Sequence, residues 1–248
     1  MENKRKLVGV IGGLGPMASA YFYELVTERT KASCDQEHID CVISSRASTP
    51  DRTAFLVGKC DESPLSALCE EAKKLEAFGA DFIVITCNTS HCFIDEIRKS
   101  VSIPVPGIIE ETANFLSLAG AKKVGIMATD GTVETGLYQT QLEKRGIEAV
   151  VPDKSFREMT MSLIYDDVKQ GREPNLDNYY AVAQHLTERG CDRIILGCTE
   201  LSLINKKTGG APVFCDAMEV LAYRAVCLGG GEPQGFPAEF ELIRNEDL

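Results

Sequence analysis

No stretch of this 248-residue sequence approaches the roughly 20 consecutive apolar residues of a membrane-crossing helix, so no span is expected. No Cys-x-x-Cys pair occurs among its ten cysteines. Cys87, His91 and Cys92 form a thiol–imidazole cluster, but the distant second half of a zinc site is missing, so no metal is expected. The opening MENKRKLVGVIGGLGP is basic and then apolar, yet its apolar part is short, rich in glycine and runs into Pro16. It reads as a strand and a loop, not as an export leader. Cysteines scattered through strand and helix patterns then read as free thiols in a reducing cytoplasm. Positive charge is scarce: 26 Lys and Arg against 37 Asp and Glu leave a net −11. That excludes nucleic acid and anionic membrane as partners. It would also repel an acidic small molecule, which would need a local cationic clamp.

The pattern centres on Phe82–His91, where an apolar run (Phe82, Ile83, Val84, Ile85) stops at Cys87 and small polar residues follow. This is how a buried parallel strand opens into a site at its carboxyl end. Arg193–Leu201 repeats it, delivering Cys198. A Gly-x-Asp precedes each strand, and Gly79 to Cys87 has the same spacing as Gly190 to Cys198. Val8-Gly9-Val10 is echoed by Val124-Gly125-Ile126, and Ile103-Pro104-Val105 by Ala211-Pro212-Val213. These echoes predict an internal duplication.

Strand and helix alternate throughout with short connections. Strands are expected at 7–11, 39–44, 82–86, 103–105, 124–128, 147–150 and 193–197. Helices are expected at 16–31, 63–78 (Ser63 as cap), 90–99, 110–118, 129–145, 156–169, 177–189 and from 214 to 227, with a loosely held tail. The fold class is α/β: two pseudo-symmetric lobes, each a small mainly parallel sheet flanked by helices, with the site in the cleft between them. Residues 1–105 plus 214–248 form the expected first lobe and 106–213 the second.

Cys87 and Cys198 each sit where a strand ends and a helix begins, a place whose N–H groups and dipole favour a thiolate below its usual pKa of about 8.5. Two thiols flanking a ligand have a natural use. One, as thiolate, removes a proton from carbon, and the other, as thiol, returns one to the opposite face, inverting the centre without a cofactor. A redox pair is the rival use. Asn88 and Thr89 follow one cysteine, Thr199 and Glu200 the other, and Thr129-Asp130-Gly131-Thr132 opens a helix able to offer N–H groups to a carboxylate. Arg52 and Lys169 are the candidate clamp. His91 could cap a helix, orient the thiol, or do neither. A further rival is Gly13-Leu14-Gly15-Pro16-Met17-Ala18, which satisfies the dinucleotide fingerprint. The ribose-binding acid is missing from its expected place, although Arg46 could meet the 2′-phosphate of NADP. That reading leaves the duplication unexplained.

Taken together, GVIGGLGPMASA, TPDRT, CNTSH, ATDGT, YDDVKQG and GCTEL resemble the aspartate/glutamate racemase family, in its aspartate racemase branch, from about Leu7 to Val226. The resemblance implies cofactor-independent racemisation of aspartate, or glutamate, by a homodimer. It implies Cys87 and Cys198 as the acid/base pair and Arg52 and Lys169 as the carboxylate clamp. Asn88, Thr89, Thr129, Gly131, Thr132 and Thr199 become ligand-holding positions, while Glu200 matches a motif without an assigned role. Some relatives lack one cysteine and isomerise or decarboxylate instead; this chain keeps both. A non-catalytic sensor of acidic ligands is the remaining alternative.

Overall fold

The computed structural model describes residues 5–244. Residues 1–4 and 245–248, placed above in the first lobe, lie outside the described residues. Three strands, β1 (Val8–Gly12), β2 (Cys41–Ser45) and β3 (Phe82–Ile85), form a parallel sheet in the order β2-β1-β3. Four more, β4 (Lys123–Ala128), β5 (Glu148–Val150), β6 (Arg193–Gly197) and β7 (Phe214–Asp216), form a second parallel sheet in the order β5-β4-β6-β7. Around the first sheet lie α1 (Pro16–Glu28), α2 (Arg52–Leu56), α3 (Leu65–Phe78) and α4 (Ile94–Ser100). The connector α5 (Ile108–Leu118) leads into the second lobe, which carries α6 (Asp130–Glu134), α7 (Leu137–Glu143), α8 (Lys154–Ser162), α9 (Leu176–Glu188) and α10 (Thr199–Thr208). The last helix, α11 (Ala217–Leu228), packs against α1 and α5. No helix among the described residues is long and apolar enough to cross a membrane.

Strand side chains alternate between faces, and here both faces are buried. Val10, Val84, Ile126 and Ile195 point into one continuous core shared with α1, α5 and α11. Ile11, Ile83 and Ile85 meet Leu68 and Leu75 of α3 on the other face, as Met127, Ile194 and Leu196 meet Tyr179 and Leu186 of α9. The two lobes are thus joined by apolar packing on the connector helices, where Arg224 and Glu111 also form an ion pair at 2.9 Å.

The sequence echoes have physical causes. Gly79 and Gly190 end α3 and α9 in left-handed conformation, at φ +108° and +85°, where a Cβ would be strained. The following aspartates clip each lobe's central strand: Asp81 accepts from Leu7 N–H at 2.7 Å and Asp192 from Lys122 N–H at 2.8 Å. Gly9 and Gly125 let those helices approach, because a Cβ would come within 3.0 Å of Ala80 and 2.8 Å of Leu186 respectively.

Several expectations are corrected. The helix expected over 129–145 is split by Gly136, at φ +66°, into α6 and α7. That over 156–169 passes from α8 into a π turn at Leu163–Asp167 and a 3-10 turn at Val168–Gln170. The turn after Cys87 is 3-10 at Thr89–Phe93 before α4 begins. Pro64, not Ser63, stands at the cap position of α3, with Ser63 Oγ accepting from Leu65 N–H. Residues 103–105 form no strand and give β3 one bond, from Ile83 N–H to Pro104 O. Their counterpart, 211–213, likewise forms no strand and gives β6 one bond, from Ile194 N–H to Val213 O, but β7 follows it and pairs with β6, so 214–216 belongs with the second sheet. The tail is docked, with Phe240 and Ile243 buried and Arg224 donating to the Ile243 carbonyl at 2.7 Å.

Candidate active site

The two cysteine strands end on the same side of the molecule. Thr86, just past β3, is pinned by its hydroxyl to Ser19 (3.1 Å) and to the Ile11 carbonyl (3.3 Å), which sets the exit of the chain towards Cys87. Cys198 occupies the cap position of α10 at the end of β6. Both cysteines are buried and line one small chamber with Arg52, Asn88, Thr89, Thr129, Lys169, Thr199 and Glu200. Its free space is about 10 Å³, at the lower bound for a single water. A hollow of about 340 Å³ adjoins it and shares Leu14, Asp51, Arg52, Lys169 and Glu200 with it. The chamber is therefore closed, with a mouth where the lobes meet. A larger cavity, about 730 Å³ between α1, α10 and the tail, is lined by neither Cys87 nor Cys198.

The two thiols have opposite neighbours. Cys198 donates to Glu200 Oε2 at 2.9 Å, and Thr199 Oγ1 donates to the same oxygen at 3.3 Å. Burial, then the Glu200 charge and hydrogen bond, push the Cys198 thiol well above its ordinary pKa. This corrects the expectation of a thiolate favoured by the helix: the start of α10 offers about half a charge, and burial plus a full negative charge in contact outweigh it. Around Cys87 the neighbour is a cation. Asp51 caps α2 by accepting from Ala54 N–H at 2.7 Å, which starts the helix at Arg52. The Arg52 guanidinium donates to the carbonyls of Leu14 (2.5 Å), Pro50 (3.0 Å) and Thr49 (3.2 Å). Burial opposes its charge, but Cys87, within hydrogen-bonding reach, and Asp51 more than offset that, and its pKa is raised. Lys169 is kept charged in the same way, burial being offset by Glu200, Tyr165, Cys198 and Asp51.

Three hydroxyls bridge the lobes. Thr89 Oγ1 lies 3.0 Å from both Thr129 Oγ1 and Thr132 Oγ1, which are 3.2 Å apart. Gly131 makes this approach possible, because a Cβ there would sit 3.0 Å from Thr53 Cα and 3.1 Å from Thr89 Cγ2. Asn88 Oδ1 accepts from the Tyr138 hydroxyl at 2.5 Å, which fixes the other end of the amide. Three buried groups here lack a partner: the donors Arg52 Nε and Asn88 Nδ2, and the acceptor Glu200 Oε1. Buried polar groups are seldom left so. A ligand bearing carboxylate and ammonium groups would satisfy them.

The chamber brings together Cys87, Cys198, Arg52, Asn88, Thr89, Thr129, Lys169, Thr199 and Glu200, with Gly131 and Thr132 directly behind. His91 stays outside. Its Nδ1 is 2.8 Å from the Cys87 carbonyl and its Nε2 accepts from Ile108 N–H at 3.0 Å, so both nitrogens are occupied by backbone. Sequence reasoning missed Tyr138 and Tyr165. Tyr165 stood in the same motif as Lys169, and the π turn carries its hydroxyl to 3.2 Å from both Asp51 carboxylate oxygens. Tyr138 had no signal. The dinucleotide alternative fails on its key residue, because Arg46 is taken by Glu70 (2.7 Å) and Glu71 (3.3 Å) and its backbone fills the space beside Gly13.

Residues 11–225 match the family described as Asp/Glu/Hydantoin racemase. The chain belongs to that family. It is an isomerase, an amino-acid racemase. Among relatives, the broad specificity amino-acid racemase RacX of Bacillus subtilis is 29% identical over 207 residues, covering 80% of this chain and 87% of its own. The structure of Picrophilus torridus aspartate racemase superposes with a TM-score of 0.80 at 29% identity, over 96% of this chain and 99% of that one. Glutamate racemase from Francisella tularensis, in complex with D-glutamate, shares the fold at 18% identity, with a TM-score of 0.61 over 91% and 81% of the two chains.

Proposed function

We propose that this racemase interconverts L- and D-aspartate, with Cys87 and Cys198 as opposed proton carriers. One observation carries the reading: two thiols from equivalent strand ends line the same closed chamber, with the buried Arg52 and the Lys169 ammonium in its wall. Cys87, beside Arg52, serves as the thiolate and removes the α-proton, becoming a thiol. Cys198, held as a thiol by burial and Glu200, gives its proton to the opposite face of the α-carbon and becomes the thiolate. For the other enantiomer the roles reverse. Both protons move through the chain's own groups, so the proposed reaction needs no added cofactor. Arg52 and Asn88 offer donors to the substrate carboxylates, with Lys169 adding charge and Thr89, Thr129, Thr132 and Thr199 lining the site. Glu200 Oε1 offers an acceptor to the ammonium.

The second cation favours a dicarboxylic over a neutral amino acid, and the likeness to the Picrophilus enzyme supports aspartate. We further propose a homodimer working in the reducing cytoplasm, where free thiols persist. The test is incubation of the protein in D₂O with single enantiomers of aspartate and glutamate, following loss of the α-proton by NMR and handedness by chiral chromatography. Exchange and inversion of aspartate are expected, with both cysteine-to-alanine variants unable to racemise. No exchange with any acidic amino acid would sink the proposal, and binding without exchange would make the protein a sensor.

A further inference from the structure

The imidazole that stays out of the chamber has a counterpart in the other lobe. His91 stands in the turn after Cys87, and Ser202 stands at the same spacing after Cys198. His91 accepts from the N–H of Ile108, the first residue of α5, a helix whose cap residue Gly107 has no side chain to offer. Ser202 Oγ donates at 2.6 Å to Asp216, which caps α11 by accepting from Met218 N–H at 3.0 Å. Each cysteine turn is thus tied by a side chain to the N-terminus of a connector helix. Those two helices pack against each other between the lobes. His91 makes one further bond, to the carbonyl of Cys87 itself.

We propose that His91 and the Ser202–Asp216 pair are matched positioning devices that hold Cys87 and Cys198, respectively, in register with the connector helices. This rests on the reading of the two cysteines as proton carriers. A turn free to drift by about 1 Å loses about 100-fold in the proton transfer it serves. The neighbouring lobe's cysteine keeps its own tie. The signature is therefore one-sided, whereas loss of general stability is not.

The experiment measures kcat, KM and primary isotope effects with α-deuterated L- and D-aspartate. The enantiomer handled by Cys87 is assigned from which one still exchanges its α-proton in Cys87→Ala. His91→Leu should lower kcat about 10- to 100-fold at little change in KM. It should raise the isotope effect only for the Cys87 enantiomer. Ser202→Ala should raise it for the other one. His91→Gln, whose longer amide can present an oxygen to the Ile108 N–H in place of Nε2, should recover most of the rate. Isotope effects that rise equally for both enantiomers, or not at all, overturn the proposal. Should His91→Leu not fold, Ser202→Ala and His91→Gln decide it alone. Absence of exchange in the unmodified enzyme sinks the functional reading, whereas normal exchange with unchanged variants sinks only the positioning role.

Discussion

Lowering the pH should expose how tightly His91 is held. Burial, only partly offset by its bond to the Cys87 carbonyl, pulls the imidazole from its ordinary 6.5 down to about 4. A proton on Nε2 would break the bond from Ile108 N–H and leave a charge in the interior. Between pH 6.5 and about 4 the unfolded chain binds this proton and the folded chain does not. The contribution is therefore fully present above 6.5 and is lost as pH falls towards 4. At about 1.4 kcal/mol per unit, that gap is worth about 3 kcal/mol, a large part of a stability of about 5–15 kcal/mol. The assay is urea unfolding of the parent protein and His91→Asn at pH 7.5, 6.0, 5.0 and 4.5. Other titrating groups are common to both proteins. The stability advantage of the parent should shrink by about 2–3 kcal/mol from the highest pH to the lowest. An advantage that stays constant with pH would refute the reasoning.

Glu200→Gln removes the negative charge in contact with Cys198, so the thiol pKa should fall, read by thiolate absorbance, while racemisation drops about 100-fold or more. Arg52→Ala should cost about 100-fold in kcat/KM with aspartate and much less with alanine, since one charge-assisted pair is lost. Equal losses on both substrates would point to misfolding. Gly131→Ala would press a methyl against Thr53 and Thr89, so activity should fall further than the melting temperature suggests. Burial and Asp216 raise Glu219 to about 7, so its contribution is present below pH 4.5 and declines as pH rises through 7. Glu219→Gln should therefore melt higher than the parent at pH 8 and near it at pH 4.5, checked by thermal scans.

The parts of this fold that sequence revealed were those with local causes. A short valine- and isoleucine-rich run between turn signals reads as a strand buried on both faces, and a glycine closing a helical pattern ends it in left-handed conformation, as Gly79 and Gly190 do. The repeated Gly-x-Asp was visible because cap and clip recur together at Gly79-Asp81 and Gly190-Asp192. The site emerged because its two cysteines share that context. What stayed hidden depends on contacts between distant segments. Nothing in residues 163–167 announces a π turn, whose hydrogen bonds are set by the docking of Tyr165 on Asp51 across the cleft. The raised pKa of Cys198 was illegible for the same reason. The helix start is local, but the burial that outweighs it is tertiary.

The fold is symmetric and its chemistry is not, and the proposed reaction can use that mismatch. Two thiols in identical surroundings could share one proton, but either could hold it equally well. Glu200 favours the thiol at Cys198, and Arg52 places a cation beside Cys87, without altering the backbone. In the proposed reaction each turnover leaves the protons exchanged, so the enzyme would exist in two forms, one ready for each enantiomer. L- and D-aspartate are equal in free energy, which forces kcat/KM to be the same in both directions whatever the bias between the forms. The bias can appear only as kcat and KM moving together. Glu200→Gln weakens it, so the ratio of the two kcat values should shift while the ratio of the two kcat/KM values stays at unity. A single-base mechanism obeys the same constraint, so the two are distinguished in D₂O: opposed thiols place deuterium at early times in the product enantiomer only, whereas one base returns it to the substrate as well.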